Sequence, residues 1–210
     1  MTIAYPKRTL KKNKNREELI EAANQLFSTK GYRNAKLEDV AEKAGLHVQT
    51  LYKHFKSKDD LAIQAALNGV NHVRSRFENA PAGQSAFQSW REFIHDSVSN
   101  LTTIGFSENK RQQLKSAASM MNDNYLLIVY SGFEDILTEY LARDFQMDPK
   151  QDRLPRLVAC MLWSGNEAAM KRCAGLDTDE DRLDDEAVTL AEGLAVVDEV
   201  EKVFQTYIKT

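Results

Sequence analysis

Residues 45–60 contain the side chains with the clearest chemistry in this chain. After Gly45 comes a row of hydrogen-bonding, aromatic and cationic residues with one valine: Val48, Gln49, Thr50, Tyr52, Lys53 and His54. Leu46, Leu51 and Phe55 recur at the spacing of the opposite side of a short helix. A helix with such anchors and an outer row of donors suits the major groove of DNA, which admits one α-helix.

The individual side chains favour contacts with bases and phosphates. Gln49 can pair with adenine through two hydrogen bonds, and Thr50 can bond a base or touch a thymine methyl group. Lys53 can reach guanine or a phosphate. Two alternatives stay open: His54 is either a donor or a histidine packed between helices, and Tyr52 is either a DNA contact or a half-buried ring with a hydrated hydroxyl.

Two helices that would position this segment precede it. The first carries one apolar face and ends at Lys30-Gly31; its members are Leu19, Ile20, Ala23, Leu26 and Phe27. A shorter stripe is closed by Gly45 and consists of Leu37, Val40, Ala41 and Ala44. Two short helices joined by a turn that contains glycine match the helix-turn-helix unit. An ordinary three-helix bundle with soluble outer faces has the same periodicity.

Residues 16 to 61 resemble the DNA-binding domain of the TetR family of bacterial transcriptional regulators. The matching features, in order, are Arg16, Ala22-Ala23, Leu26-Phe27, Gly31-Tyr32, Asp39-Val40-Ala41, Ala44-Gly45, Thr50-Leu51-Tyr52, His54-Phe55, Ser57-Lys58 and Leu61. The resemblance implies that the helix from Val48 to His54 lies in the major groove. It also implies that Tyr52 and Lys58 hold phosphates, and that base contacts vary at Val48, Gln49, Thr50 and Lys53.

The chain departs from the family pattern at three positions. The second helix is preceded by Ala35-Lys36, where the family usually has a Thr or Ser cap, and such a loss typically costs about 1 kcal/mol. Lys36 replaces the hydroxyl with a charge that can contact phosphate. His47 stands where Ser is common, and Gln49 where Gly is frequent. Ser57 with Asp60 still predicts a capping box for the fourth helix.

Positive charge is concentrated at the start of the chain. Residues 1–60 hold 13 Lys and Arg against 8 Asp and Glu, although the whole chain has a net charge of −3. The first 16 residues contain six cations and no acid. We expect residues 1–15 to form a basic flexible arm that lies along phosphates or in a minor groove when DNA is bound. The alternative is a solvated tail without a specific role.

Beyond residue 60 the pattern is helical throughout, which predicts an all-α chain of about nine helices with a three-helix head (16–60) and a second domain (61–210). The resemblance implies that the second domain binds a small-molecule effector and dimerises through the last two long helices. Small residues on the penultimate helix fit this expectation: Ala159, Gly165, Ala168 and Ala169. The last helix is apolar over more than one face, with Leu190, Leu194, Val197, Val200, Val203 and Phe204. A two-fold dimer would place its reading helices about 34–36 Å apart on a palindromic operator in double-stranded DNA.

Aromatic, thioether and amide side chains of the central helices are candidates for lining an effector pocket, and they predict a largely apolar ligand. The candidates are Trp90, Phe93, Met120, Met121, Tyr125, Phe133, Trp163 and Asn166. The competing interpretation is that these side chains form only a core. The combined prediction is a transcriptional regulator, most simply a repressor released by its effector. An architectural or protein-binding protein without an effector is the alternative.

Other functional classes have little support in the sequence. No spacing of Ser, Cys, His or acidic residues matches a catalytic arrangement, and residues 177–186 lack the ligand spacing of a calcium loop, so we expect no enzyme, metal or cofactor. No apolar run is long enough for a membrane helix and no signal segment follows the basic N-terminus, so we expect a cytoplasmic protein. Cys160 and Cys173 fall on different faces of one helix, which predicts buried free thiols, with a redox switch as the alternative.

Overall fold

The computed structural model describes residues 6–115, 124–178 and 180–209, and this part of the chain is helical. It contains nine α-helices: α1 (Pro6–Lys30), α2 (Leu37–Lys43), α3 (Val48–His54), α4 (Lys58–Glu78), α5 (Ala86–Ile104), α6 (Glu108–Lys115), α7 (Asn124–Phe145), α8 (Leu154–Cys173) and α9 (Glu186–Phe204). A single 3₁₀ turn, Gln205–Tyr207, follows α9. The predicted all-α fold is confirmed. Met120 and Met121 lie outside the described residues.

The first three helices and the start of α4 form the head around one apolar core. Leu19 and Phe27 of α1 pack with Leu51 of α3 and Leu61 of α4, and all four are buried. On α4 the buried members of this core extend to Ala66, past the boundary predicted at residue 60. The head therefore shares α4 with the body of the molecule.

The turn between α2 and α3 owes its shape to Gly45. This residue has a φ of +67°, a left-handed conformation that glycine adopts without strain. The Gly45 N–H donates to Glu42 and the Leu46 N–H donates to Ala41, at 2.9 and 2.8 Å. This pair of bonds is the Schellman motif, which ends α2 and directs the chain into α3.

The helix α4 starts with the predicted cap. The Asp60 N–H donates to the Ser57 hydroxyl at 3.1 Å, while the Asp60 carboxylate accepts from the Lys56 N–H at 2.9 Å. The second bond reaches one residue before the cap instead of the cap residue itself. Two acids in the first turn, Asp59 and Asp60, also suit the positive end of the helix dipole.

Helices α4, α5, α7, α8 and α9 build the body around a second core. Helix α7 packs between α4 and α8, and α9 packs on α5 and α8. At the crossing of α4 and α7, a Cβ atom on Gly132 would lie only 2.5 Å from Val70. At the crossing of α8 and α9, one on Gly165 would lie 2.6 Å from Val196. Glycine is required at both crossings because the helices touch backbone to side chain.

Two expectations about helix surfaces and boundaries need correction. Residues 6–15 are the first turns of α1 instead of a flexible arm, because no glycine interrupts this run and Pro6 is favourable at a first helical position. Ala159 and Ala169 are not on the surface of α8, since they are 0% and 4% exposed inside the body. Gly165 also faces α9 of the same chain.

No helix in the described ranges is long and apolar enough to span a membrane. Both cysteines lie on α8 as free thiols; Cys173 is buried as predicted, but Cys160 is only half-buried. Burial raises the pKa of both thiols above the ordinary value. Because a thiol is unreactive while protonated, this environment does not favour redox chemistry.

Candidate nucleic-acid interface

Helix α3 is fixed to the head by its inner side and presents its outer side to solvent. Leu51 and Phe55 are 0% and 2% exposed, as the sequence predicts. On the outer side Gln49, Tyr52 and Lys53 are exposed, with Tyr52 at 55%. A short helix that shows an amide, a phenol and an ammonium group to solvent is able to donate to base edges and phosphates.

The remaining α3 candidates lie at the edge of this surface. Val48 is half-buried and packs against the head core, so only part of it can face DNA. Thr50 is half-buried as well, and its N–H donates to the His47 carbonyl in the first turn. The structure therefore groups Gln49, Tyr52 and Lys53 as the outer row, flanked by Val48 and Thr50.

His54 lies between α3 and the N-terminal half of α1. Its ring is half-buried, and burial lowers the pKa of His54, an effect strengthened by the positive charges of Lys12 and Arg16. The Arg16 guanidinium stands 5.4 Å from the centre of the Phe55 ring and donates to the Gln64 side chain at 2.7 Å. This packed environment resembles the second alternative for His54, a histidine between helices.

The helical start of α1 brings cations to the reading helix, which the sequence prediction missed. Lys12 is exposed and close enough to affect His54, and Lys53 is exposed on the same α3 turn. An uninterrupted helical pattern upstream of Leu19, with no glycine after Pro6, was the available signal. The helical continuation of α1 places the charges of Lys12 and Lys53 in one cationic surface at the end of α3.

Lys58 is held against the loop that joins α1 to α2. Its ammonium group donates to the Arg33 carbonyl at 3.2 Å and lies 4.6 Å from the centre of the Tyr32 ring. The Tyr32 hydroxyl donates to Asp59 in the first turn of α4. The predicted phosphate-binding lysine thus also joins the loop to α4, and DNA would have to share it with these partners.

Lys36 and His47 are the residues before α2 and α3, and neither side chain caps its helix. Both are exposed, so the Lys36 charge is free to meet a phosphate. Helix α2 is anchored instead by its acids, because Asp39 accepts from Lys30 of α1 at 3.1 Å. That hydrogen bond is the main cause of the lowered pKa of Asp39.

In the body, four of the predicted effector-site residues form a cluster of aromatic rings. Trp90 stacks at a tilt on Phe93 with ring centres 4.8 Å apart, and Phe133 lies 4.9 Å from Trp163 in an edge-to-face arrangement. Tyr130, which the sequence did not single out, completes the cluster at 4.8 Å from Trp163. We call these five residues the aromatic cluster.

Asn166 and Tyr125 have other positions than the expected pocket lining. Asn166 accepts from the Trp90 indole at 2.9 Å and donates to the Gly193 carbonyl at 2.7 Å, so its amide connects α5, α8 and α9. Tyr125 belongs to the head core, where its hydroxyl lies 3.3 Å from both Asn24 and Ser28 of α1. The structure keeps Tyr125 apart from the aromatic cluster.

Helix α6 connects the head with the loop between α8 and α9. The Thr29 carbonyl of α1 accepts from the Ser107 N–H at 3.0 Å. Four residues later, Arg111 pairs with both Asp181 and Asp184, and its guanidinium is 15% exposed. The acidic loop at residues 177–186 thus has a structural contact with α6.

Two surface depressions lie away from the aromatic cluster. One, of about 310 Å³, is a shallow polar region on α5 lined by His95, Asp96, Ser99, Asn100 and Thr103. The other, of about 170 Å³, is lined by side chains of both signs at the end of α8. Within the described ranges, no group of three or more His, Cys, Asp or Glu side chains could hold a metal ion.

A short helix with an exposed polar side, joined to the helix before it by a glycine turn, is the arrangement of a helix-turn-helix unit. The sequence profile described as "Bacterial regulatory proteins, tetR family" matches residues 19–65, which cover α2, α3, the second half of α1 and the first turns of α4. The head of the chain therefore matches the DNA-binding domain of the TetR family of transcriptional regulators.

Similar proteins are named as transcriptional regulators. The HTH-type transcriptional regulator TcmR of Streptomyces glaucescens is 25% identical over 152 residues, which are 72% of this chain and 62% of that protein. A TetR transcriptional regulator from Chloroflexus aurantiacus has a TM-score of 0.61 and 19% identity, covering 94% of this chain and 98% of its own. The regulator FadR from Bacillus subtilis, solved with stearoyl-CoA, has a TM-score of 0.53 and 18% identity, covering 85% and 97%.

Proposed function

We propose that this protein is a cytoplasmic homodimeric repressor that binds a palindromic operator through α3 and leaves it when a small molecule binds the body. The observation that carries the DNA-binding part is the outer row Gln49, Tyr52 and Lys53, exposed on a helix whose inner side is fixed by Leu51 and Phe55. In this proposal the head ends within α4, and α4 to α9 form the effector-binding and dimerisation domain.

The proposed contacts divide by geometry into base readers and phosphate holders. Gln49, Thr50 and Lys53 would meet base edges, with Val48 at the margin of the helix. Tyr52, Lys58 and Lys36 would hold phosphates, and His54 would support the end of the helix. The α1 cations, Lys12 foremost, would add sequence-independent attraction to the phosphate backbone.

Apolar side chains left exposed on α8 and α9 support dimerisation. Leu157, Met161, Ser164 and Ala168 are exposed and follow one another at helical spacing. Leu157 is 58% exposed, Met161 44%, and Val203 of α9 64%. An exposed apolar stripe on adjacent helices is typical of a subunit interface. A two-fold pairing of α8 and α9 would orient both heads toward one side.

Coupling between body and head has two routes in the structure. Helix α4 belongs to both cores and crosses α7 at Gly132 and Val70. Helix α6 adds the Ser107–Thr29 hydrogen bond. An effector that binds better to one head spacing than to another would shift the equilibrium toward that spacing by its difference in affinity.

The test is fluorescence anisotropy on the DNA upstream of the protein's own gene, with a scrambled duplex beside it and a salt series. A repressor of its own gene is expected to bind the first duplex at least about a thousandfold more tightly than the second. Equal binding that disappears with salt would contradict a local operator, and selection of bound sites from genomic DNA would then decide whether any operator exists. Reporter expression with and without the protein separates repression from activation.

The rival is an architectural or protein-binding protein without an effector, favoured by the close packing of the aromatic cluster. It predicts that no compound releases the operator complex. Measuring head separation by distance labels at Lys43 in operator-bound and effector-bound dimers distinguishes the two. Identical separations would exclude the release mechanism.

A further inference from the structure

One polar atom of the aromatic cluster has no partner. Among the residues that the structure describes, the indole nitrogen of Trp163 is the one buried side-chain nitrogen or oxygen without a hydrogen bond. The Trp163 side chain as a whole is half-buried, but this nitrogen is shielded from water. Leaving such a donor unpaired in a buried position is unfavourable, so it calls for an explanation.

The aromatic neighbours of Trp163 contact it through their rings. Tyr130 and Phe133 stand edge-to-face with it, with interplanar angles of 87° and 86°, and ring faces are only weak acceptors. The amide of Asn166, three residues further along α8, already accepts from Trp90 and donates to Gly193. Its two functional atoms are therefore engaged in the core and do not serve Trp163.

Two acids on the helices that carry the cluster, Glu134 and Glu167, are already paired with cations. The core that contains the aromatic cluster is built from apolar side chains. On α7, Glu134 pairs with Arg156, and on α8, Glu167 pairs with Lys171 at 2.7 Å. A charged ligand would lose its hydration here without gaining an unpaired partner of opposite sign, which is costly in an apolar environment.

The cluster reaches the surface at one side. Trp90 is 0% and Phe133 7% exposed, whereas Phe93, Tyr130 and Trp163 are half-buried. A ligand that approaches from solvent would therefore meet these three rings first. Flat aromatic ligands are favoured, because they can replace the edge-to-face contacts that the rings now make with each other.

We propose that Trp163 is the hydrogen-bond donor that selects the effector, and that the effector is a neutral, flat aromatic compound with one exposed carbonyl or ether oxygen. The oxygen accepts from the indole nitrogen, while the rings pack against Phe93 and Tyr130. This inference rests on the proposed function, because it names the ligand class of the effector site assumed there.

Nuclear magnetic resonance tests the proposal directly, because the chain has two tryptophans and hence two indole N–H signals. The probe is fluorenone, with fluorene as the control that has the same shape and no oxygen. Fluorenone is expected to move the Trp163 signal downfield and leave the Trp90 signal almost unchanged. The Trp163→Phe variant assigns the two signals, since it retains a ring and deletes one of them.

Affinity measured by calorimetry gives the second readout. Fluorenone is expected to bind about tenfold more tightly than fluorene, the equivalent of about 1.4 kcal/mol. In Trp163→Phe the two probes should bind equally. In the wild type, benzophenone and flavone should also accept a hydrogen bond from Trp163. A fluorenone carboxylate should bind at least tenfold more weakly than fluorenone.

Three results would overturn the inference: equal affinity of fluorenone and fluorene in the wild type, tighter binding of the carboxylate, or an unmoved Trp163 signal with all three neutral carbonyl compounds. The operator assay is run on the same samples and keeps the proposals separate. A Trp163 shift without operator release supports this site and contradicts release by the effector. Intact operator binding without any Trp163 shift contradicts the ligand class alone.

Discussion

The carbonyl oxygen of Thr29 accepts two hydrogen bonds from Ser107, one from its backbone nitrogen at 3.0 Å and one from its hydroxyl at 3.2 Å. Thr29 lies in the last turn of α1 and Ser107 directly precedes α6, so these bonds join the head to the body. The same hydroxyl accepts from the Lys110 N–H at 3.3 Å and caps α6. One side chain therefore fixes both the start of α6 and its position on the head.

Ser107→Ala is expected to lower the free energy of unfolding by about 1–2 kcal/mol, because it removes a cap and a bond to a buried carbonyl. Ser131→Ala, on an exposed position of α7, is the matched control and should change it by less than about 0.5 kcal/mol. Urea denaturation measures both. Equal effects would mean that the Ser107 hydroxyl contributes nothing specific.

Arg111 and Arg156 each pair with two carboxylates but differ in exposure, 15% against 49%. Arg111→Gln is expected to destabilise the protein by about 2 kcal/mol, because hydrogen bonds to charged groups are stronger where water is excluded. Arg156→Gln should cost less than about 1 kcal/mol. Thermal or urea unfolding at two salt concentrations compares them, and a larger loss at Arg156 would reverse this account.

Gln49→Ala tests base reading without disturbing the fold, because the side chain is exposed. Affinity for the operator is expected to fall by roughly 1–3 kcal/mol, with relaxed preference at one base pair and little change on scrambled DNA. Tyr52→Phe should instead weaken both duplexes alike. Anisotropy on a set of operators with single substitutions measures this, and an unaltered preference in Gln49→Ala would remove that residue from the readout.

The protonation of His54 should make stability depend on pH. Burial, aided by Lys12 and Arg16, holds its folded pKa below the ordinary value, so the unfolded state takes up the proton first as pH falls. Stability contributed by neutral His54 is present above the unfolded pKa near 6.5 and is lost below it. Wild type is therefore expected to lose more stability than His54→Gln between about pH 7.5 and 5.5. Parallel pH curves for the two would contradict this.

Two glycines within helices should respond oppositely to alanine. In Gly69→Ala the added Cβ fits without a clash, because the nearest atom is 3.8 Å away. Since alanine has the higher helix propensity, this variant should stabilise α4 by about 0.5–1 kcal/mol. Gly132→Ala meets Val70 at 2.5 Å and is expected to destabilise by about 1–3 kcal/mol through overpacking. Denaturation of both variants, and of Gly132→Ala with Val70→Ala, checks the contact. A neutral Gly132→Ala would show that the crossing is loose.

The sequence predicted the head well, because the turn, the helix anchors and the cap that shape it depend on residues close together in the chain. Glycine at position 45, the apolar anchors of α3 and the cap at Ser57 each act within one turn of chain. The arm was predicted wrongly because charge was given more weight than helical continuity across residues 6–15. Charged residues with good helix propensity extend a helix that is already anchored further along.

The effector site was harder, because its members come from separate helices. Trp90, Phe93, Phe133 and Trp163 were identified by residue type, yet Tyr125 has the same type and lies in the head core. Asn166 looked available for a ligand, but its partners, Trp90 and Gly193, are distant in sequence. Only the packing of α5, α8 and α9 shows that the Asn166 amide is engaged while the Trp163 indole nitrogen has no hydrogen-bond partner.

The close contact of Gly132 and Val70 at the crossing of α4 and α7 is a point about which α4 can rotate. From Val70 back to Lys58, α4 is a rigid lever of about 18 Å. A rotation of about 10° at the crossing carries Lys58 through about 3 Å, the length of one hydrogen bond. A side-chain rearrangement too small to alter the fold would therefore be enough to break the phosphate contacts proposed for the head.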